Sequence, residues 1–134
     1  MIALPLAGNI IGSGDSNFVV AEWSDAGGPA GQRRLIAPPH LHHEDDEAWY
    51  VLDGKLVVRV GGDEVEASAG SGVFVPRGTV HTYWNPGPEP VRYLLIMTAN
   101  IHGLIQDIHA MQERSPAALA AVFAKHNSSL VEGI

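Results

Sequence analysis

Between residues 18 and 97 short β-forming runs alternate with turns built from glycine and proline. Phe18 to Trp23 opens the series. Ala48-Trp49-Tyr50-Val51-Leu52 runs into Asp53-Gly54, a hairpin-type turn. Lys55-Leu56-Val57-Val58-Arg59-Val60 follows and turns at Gly61-Gly62 into Val65-Glu66-Ala67. Val73-Phe74-Val75 ends at Pro76-Arg77-Gly78, and His81 to Asn85 comes next. After the turn Asn85-Pro86-Gly87-Pro88, Val91 to Met97 is the last strong strand. Strands recurring every eight to twelve residues or so, punctuated by Gly and Pro, predict an all-β sandwich or barrel.

The two ends of the chain read differently. Ile2 to Ile11 is an apolar edge strand broken by Pro5, with Gly8-Asn9 as a bend. An open sheet edge carries unpaired backbone groups that invite strand addition. The apolar Ile2, Leu4, Leu6, Ile10 and Ile11 therefore predict a homodimer built through this edge, or a segment that folds back onto its own barrel. Residues 25–31, rich in Gly and Pro, form a loop. Past Asn100, Ile101, Leu104, Ile105, Ile108 and Met111 recur at helical spacing and give one apolar stripe. Ser115 caps a second helix with Pro116 at its first position, and Leu119, Val122 and Phe123 form its buried side. These helices are expected to cover a barrel face, with His102, His109 and His126 as surface or packing residues. The length of 134 residues fits one domain, the barrel over about 15–100 and the helices over about 101–127.

Composition narrows the function classes. Hydrophobic residues make up 46% of the chain, as in a globular protein. The net charge is -7, and the basic residues stand singly except for Arg33-Arg34, so a nucleic-acid surface is disfavoured. Without cysteine there is no thiolate catalysis, disulfide or iron–sulfur cluster. Met1 to Gly12 lacks the positive start of a signal peptide, and no apolar run approaches the roughly 18 residues of a membrane span. A cytoplasmic protein without a membrane segment is the expectation.

The candidate chemistry lies between Pro39 and Asn85. One stretch reads His40-Leu41-His42-His43-Glu44-Asp45-Asp46-Glu47, with Gly54 downstream. The other runs from Gly70 through Pro76, Gly78 and His81 to Asn85. Imidazole and carboxylate are ligands for first-row divalent metals. Alternation along a strand puts His40 and His42 on one face and His43 on the other. Glu47 returns to the same point from the next strand, and His81 from a strand facing His40 across an interior. Glu44-Asp45-Asp46 reads as a solvated charge run, and Arg77 as exposed.

These spacings resemble the two signature motifs of the cupin superfamily: His-x-His with a downstream Glu and Gly, then Gly-x5-Pro-x-Gly-x2-His-x3-Asn. Both occur here in order; the one departure is Arg34, which stands where the first motif has a glycine. The resemblance implies a double-stranded β-helix, or jelly roll, with the metal inside. It implies His40, His42, Glu47 and His81 as ligands of one divalent transition ion, which could be Fe, Mn, Ni, Co, Cu or Zn. Alternation adds Trp49, Val51 and Tyr83 as inward neighbours, either a pocket for a small aromatic or hydrophobic ligand or plain barrel core.

Within the superfamily, Glu47 through Met97 is similar to small bacterial proteins related to quercetin 2,3-dioxygenase. That likeness implies oxygen-dependent cleavage of an enolisable substrate, with Glu47 as metal ligand or as the base that takes the substrate's acidic proton. Two other functions stay open: a non-enzymatic metal-dependent binding module, and an isomerase that uses the metal to polarise a carbonyl.

Overall fold

The computed structural model describes residues 5–132. Its strands are β1 (Ile10–Ile11), β2 (Val19–Asp25), β3 (Leu35–His42), β4 (Glu47–Asp53), β5 (Lys55–Val60), β6 (Asp63–Ser68), β7 (Gly72–Val75), β8 (His81–Trp84), β9 (Val91–Met97) and β10 (Ser128–Leu130). Two helices, α1 (Ala99–Ala110) and α2 (Pro116–Lys125), separate β9 from β10. The strands form two antiparallel five-stranded sheets, ordered β1-β2-β9-β4-β7 and β10-β3-β8-β5-β6. This is the jelly-roll arrangement, and consecutive strands repeatedly cross from one sheet to the other.

The alternating pattern decides which side chains enter the space between the sheets. In β9 the sequence Val91-Arg92-Tyr93-Leu94-Leu95-Ile96-Met97 buries every second residue, beginning with Val91. Val19, Val51, Leu56, Val58 and Val91 are wholly buried and join Trp49, Tyr93 and Leu95 in one core. Burying a Val or Leu side chain contributes roughly 1.5–3 kcal/mol, so this cluster holds the sheets face to face. Gly54 takes φ +82° in the β4–β5 turn, where a Cβ would collide with the Pro90 carbonyl.

Three features depart from the sequence reading. The N-terminal strand is confined, within the described residues, to Ile10–Ile11, and Ile2 and Leu4 lie outside those residues. Proline at position 5 and the positive φ of Gly8 (77°) suit a turn, and Asn9 N–H donates to the Leu6 carbonyl at 2.7 Å. β3 pairs irregularly with β8, with register shifts between Leu35 and Ala37 and between Ala37 and His40. Pro38 and Pro39 lie inside the second shift and have no N–H to give to a ladder. Finally, β10 follows α2 and pairs with β3, Ser128 lying opposite His42.

The helices sit where their caps place them. The Thr98 side chain accepts from Ile101 N–H, and Ser115 accepts from Ala118 N–H, with Pro116 in the first turn. Asn100 joins the helices by donating to the His126 carbonyl at 2.7 Å. Asp107 accepts from His126 Nε2 at 2.7 Å and from Lys125 Nζ at 3.1 Å. No helix among the described residues is long and apolar enough to cross a membrane.

Candidate metal centre

His40 and His42 lie on β3, His81 opens β8 and Glu47 opens β4. β3 and β8 are neighbours in one sheet, with His40 directly opposite His81. The two histidines therefore do not face one another across the interior, as the sequence reading supposed. They are cross-strand neighbours, and the opposite sheet delivers Glu47 instead. All four side chains are buried, and their ligand atoms lie within 4.8 Å of one another. His43 points outward, exposed, with Nε2 2.8 Å from Ser129 Oγ.

Hydrogen bonds on the outer side of each ring fix the tautomers. His40 Nδ1 lies 2.6 Å from the Pro38 carbonyl and His81 Nδ1 2.9 Å from the Thr79 carbonyl. A carbonyl only accepts, so both rings donate from Nδ1. His42 Nδ1 meets Ser128 Oγ at 2.7 Å, and Ser128 gives its own hydroxyl proton to the His126 carbonyl at 3.1 Å. His42 must donate as well. All three Nε2 lone pairs are left for the centre of the cluster.

That centre fits a cation. His42 Nε2 is buried without a hydrogen-bond partner, although Glu47 Oε1 is only 3.2 Å away. His81 Nε2 and Glu47 Oε1 approach to 2.5 Å, a distance that calls for a proton or a cation between them. Three imidazoles and a carboxylate suit a first-row divalent ion. Burial, helped by the fields of His81 and His42, lowers His40 to about 3. Burial alone would raise the Glu47 carboxyl, but the adjoining His42 and His81 rings outweigh it and hold it at about 2. At neutral pH His40 is an uncharged imidazole and Glu47 a carboxylate, the forms that bind metal.

Beside this cluster lies a cavity of about 730 Å³. Trp49, Tyr83 and Tyr93 form its strand wall, Leu104 and Ile108 of α1 another side, and Phe123 of α2 closes over it. The Phe123 ring meets the His40 ring edge to face, 5.3 Å between centroids. Val51, expected with Trp49 and Tyr83, does not reach the cavity. It is wholly buried in the core, two residues further along β4, where side chains of both sheets fill the interior. Burial, reinforced by Tyr93, raises the Tyr83 phenol well above its usual range, and burial lifts Tyr93 to about 12.

The sequence reading missed several contributors. Tyr93 was within reach, because it shares the inward set of β9 with Val91 and Leu95. Ser128 carried no signal, standing in a short polar strand whose partner is far away in sequence. His109, read as a surface or packing residue, is exposed yet lines the cavity. The acidic run is not merely solvated. Asp46 accepts from the backbone N–H, Nε and Nη2 of Arg77 at 2.8, 3.2 and 3.0 Å, which ties the two motif loops together. Asp45 accepts from Asn100 Nδ2 at 2.8 Å and so anchors α1. Asn85 is a turn residue, accepting from Gly87 N–H at 2.8 Å and donating to the Glu89 carbonyl at 2.9 Å.

Comparison with known proteins agrees with this geometry. Residues 32–97 match the family described as Cupin domain. Tetracenomycin polyketide synthase protein TcmJ of Streptomyces glaucescens is 42% identical over 53 residues, covering 40% of this chain and 36% of that protein. Quercetin 2,3-dioxygenase of Bacillus subtilis is 32% identical over 69 residues, covering 52% of this chain and 19% of that protein. Among solved structures, a putative sugar phosphate isomerase from Acidithiobacillus ferrooxidans superimposes with a TM-score of 0.53 at 26% identity, covering 62% of this chain and 51% of that one. Each of these three matches spans little more than half of the relative at most. Through residues 32–97, and through the two-sheet barrel that holds its histidines and glutamate, this chain belongs to the cupin superfamily.

Proposed function

We propose that this chain is a metal-dependent dioxygenase acting on a small aromatic, enolisable compound. One observation carries the reading: a buried cluster of three histidines and a glutamate borders a cavity whose wall is mainly aromatic and aliphatic. The relatives named for polyketide synthesis and for quercetin support an aromatic oxygenated substrate. An ion held by His40, His42, Glu47 and His81 would supply Lewis acidity and, if redox-active, a route for electrons to dioxygen. Glu47, ionised at neutral pH, would take the substrate's acidic proton or stay a ligand. Trp49, Tyr83 and Phe123 would hold the ring and keep water from the reacting atoms.

An isomerase is the second reading, favoured by the sugar phosphate isomerase neighbour. The cavity lining also holds Arg92, His109 and Arg114, cationic or polar groups that a phosphate would use, whereas its aromatic wall suits a ring. A binding module without turnover is the third. We would measure metal content and oxygen uptake on the same protein, with a flavonol and with an aromatic 1,3-dicarbonyl compound. Oxygen consumption matched to loss of either compound is expected. Tight binding with no turnover would leave the binding module, and product isomeric with the substrate would leave the isomerase.

The chain would work as a cytoplasmic homodimer. β1 is one edge of its sheet, and Ile10 and Ile11 on it and Phe18 just before β2 are exposed. A second copy pairing through this edge would cover apolar surface and satisfy open backbone groups.

A further inference from the structure

The cavity has two unlike ends. Its deep end lies at the metal cluster, where the Phe123 ring meets His40 and Asn100, beside Ile101, donates to Asp45 near Glu47. Ile101, Leu104 and Phe123 are buried. From there the helices carry the lining outward, α1 forward to His109 and α2 backward to Arg114, and both of these residues are exposed. At a helical rise of about 1.5 Å per residue, Ile101 to His109 spans roughly 12 Å and Phe123 back to Pro116 roughly 10 Å. The two helices thus agree on the length of an apolar passage between the metal cluster and a basic mouth.

Charge at that mouth runs against the trend of the chain, in which acids outnumber bases 15 to 8. The acids in the cavity lining are Glu47, within the metal cluster, and Glu22, which accepts from Arg92 Nε at 3.0 Å. Arg33, Arg34, Lys55, Arg77, Arg92 and Lys125 each pair with a carboxylate, and Arg59 donates to the Gly61 carbonyl. Among the described residues Arg114 alone of the basic side chains has no such partner. A guanidinium offers a carboxylate two parallel N–H donors. We propose that Arg114, together with His109, forms an anion site at the cavity mouth that holds a single carboxylate of the ligand. A dianion would also meet the Glu22 carboxylate, so one negative charge suits this mouth better than two. The class this selects is an aromatic acid whose ring lies in the passage and whose far end points at the metal cluster. The proposal deepens the function proposed above and rests on its cavity, whereas the ion is not required for it.

The test compares biphenyl-4-carboxylate with biphenyl-4-carboxamide, probes of like shape that differ in charge. Full-length protein, metal-free and zinc-loaded, would be titrated with each by calorimetry. The carboxylate should bind more tightly in both forms, and its advantage should shrink as added salt screens the mouth. Arg114→Gln should weaken the carboxylate about three- to tenfold and leave the amide unchanged, while Arg114→Lys keeps part of the preference. Lys55→Gln, a change of equal charge away from the cavity, should alter neither probe. Equal binding of the two probes, or a preference untouched by Arg114→Gln, would overturn the anion site and leave the cavity as the ligand site. A preference seen only with zinc would put the carboxylate on the ion and overturn it too. Tighter binding of biphenyl-4-yl phosphate than of the carboxylate would overturn the choice of a single charge. If no probe binds, the cavity reading falls together with the anion site. If the protein takes up no zinc yet prefers the carboxylate through Arg114, the metal reading fails and the anion site stands.

Discussion

Ser128 and His42 are separated by 86 positions in the chain, yet Ser128 Oγ sits 2.7 Å from His42 Nδ1 and holds that ring with Nε2 toward the centre of the cluster. The contact exists because β10 pairs with β3 after both helices have crossed the barrel mouth. Replacing Ser128 with Ala frees the ring to rotate and leaves its Nδ1–H without a partner. Metal affinity should fall about 10–100-fold, the usual loss when a ligand's outer hydrogen bond is removed. Competition against a chelator of known affinity reads this directly, and circular dichroism checks that the fold persists. Unchanged affinity would remove Ser128 from the site.

His81 and His43 make a second comparison. His81 is buried against Glu47, whereas His43 is exposed and bonded to Ser129. His81→Ala should lose most of the bound metal in elemental analysis, and His43→Ala should keep it. Equal losses would show that the ligand set is wrongly drawn.

Glu47 has two candidate roles, and Glu47→Gln separates them. The amide keeps an oxygen near the ion but loses basicity. The three histidines should retain substantial metal, while turnover of the aromatic substrate drops by about 10²–10⁴-fold, the range for general acid–base catalysis. Full metal content with an unchanged rate would dismiss Glu47 as the base.

Acid should destabilise the metal-free protein through His40 and Glu47. His40 is lowered from 6.5 to about 3, so between those values the unfolded chain binds the proton that the folded chain refuses. Stability therefore declines as pH falls below about 6.5 and levels off near the folded value. Glu47, lowered from 4.5 to about 2, contributes stability that is present above 4.5 and is lost as pH falls through about 2. Urea unfolding at several pH values would show the decline, and a His40→Asn variant should have a shallower slope between pH 6.5 and 4.5. Identical slopes would mean that His40 is not held neutral by burial.

Removing residues 1–12 deletes the β1 edge and its exposed isoleucines. Light scattering should find a dimer for the full chain and a monomer for the shortened one. Two soluble monomers would end the dimer proposal.

The sequence by itself marked most of the strands and the four side chains that meet in the buried cluster. Alternation with period two is a local property, so Val91, Tyr93, Leu95 and Met97 had to share one face, as did His40 and His42. Turn chemistry is local too, which is why Asp53-Gly54 and Ser115-Pro116 mark their elements plainly. Tertiary structure alone decided which strands pair. It set His40 beside His81 rather than across from it, brought Glu47 from the other sheet, and carried Ser128 back to His42. It also divided the inward set of β4, sending Trp49 to the cavity wall and Val51 into the packed core. Pairing depends on contacts between residues far apart in sequence, and no local pattern of hydrophobic and polar positions encodes which distant strand will supply them.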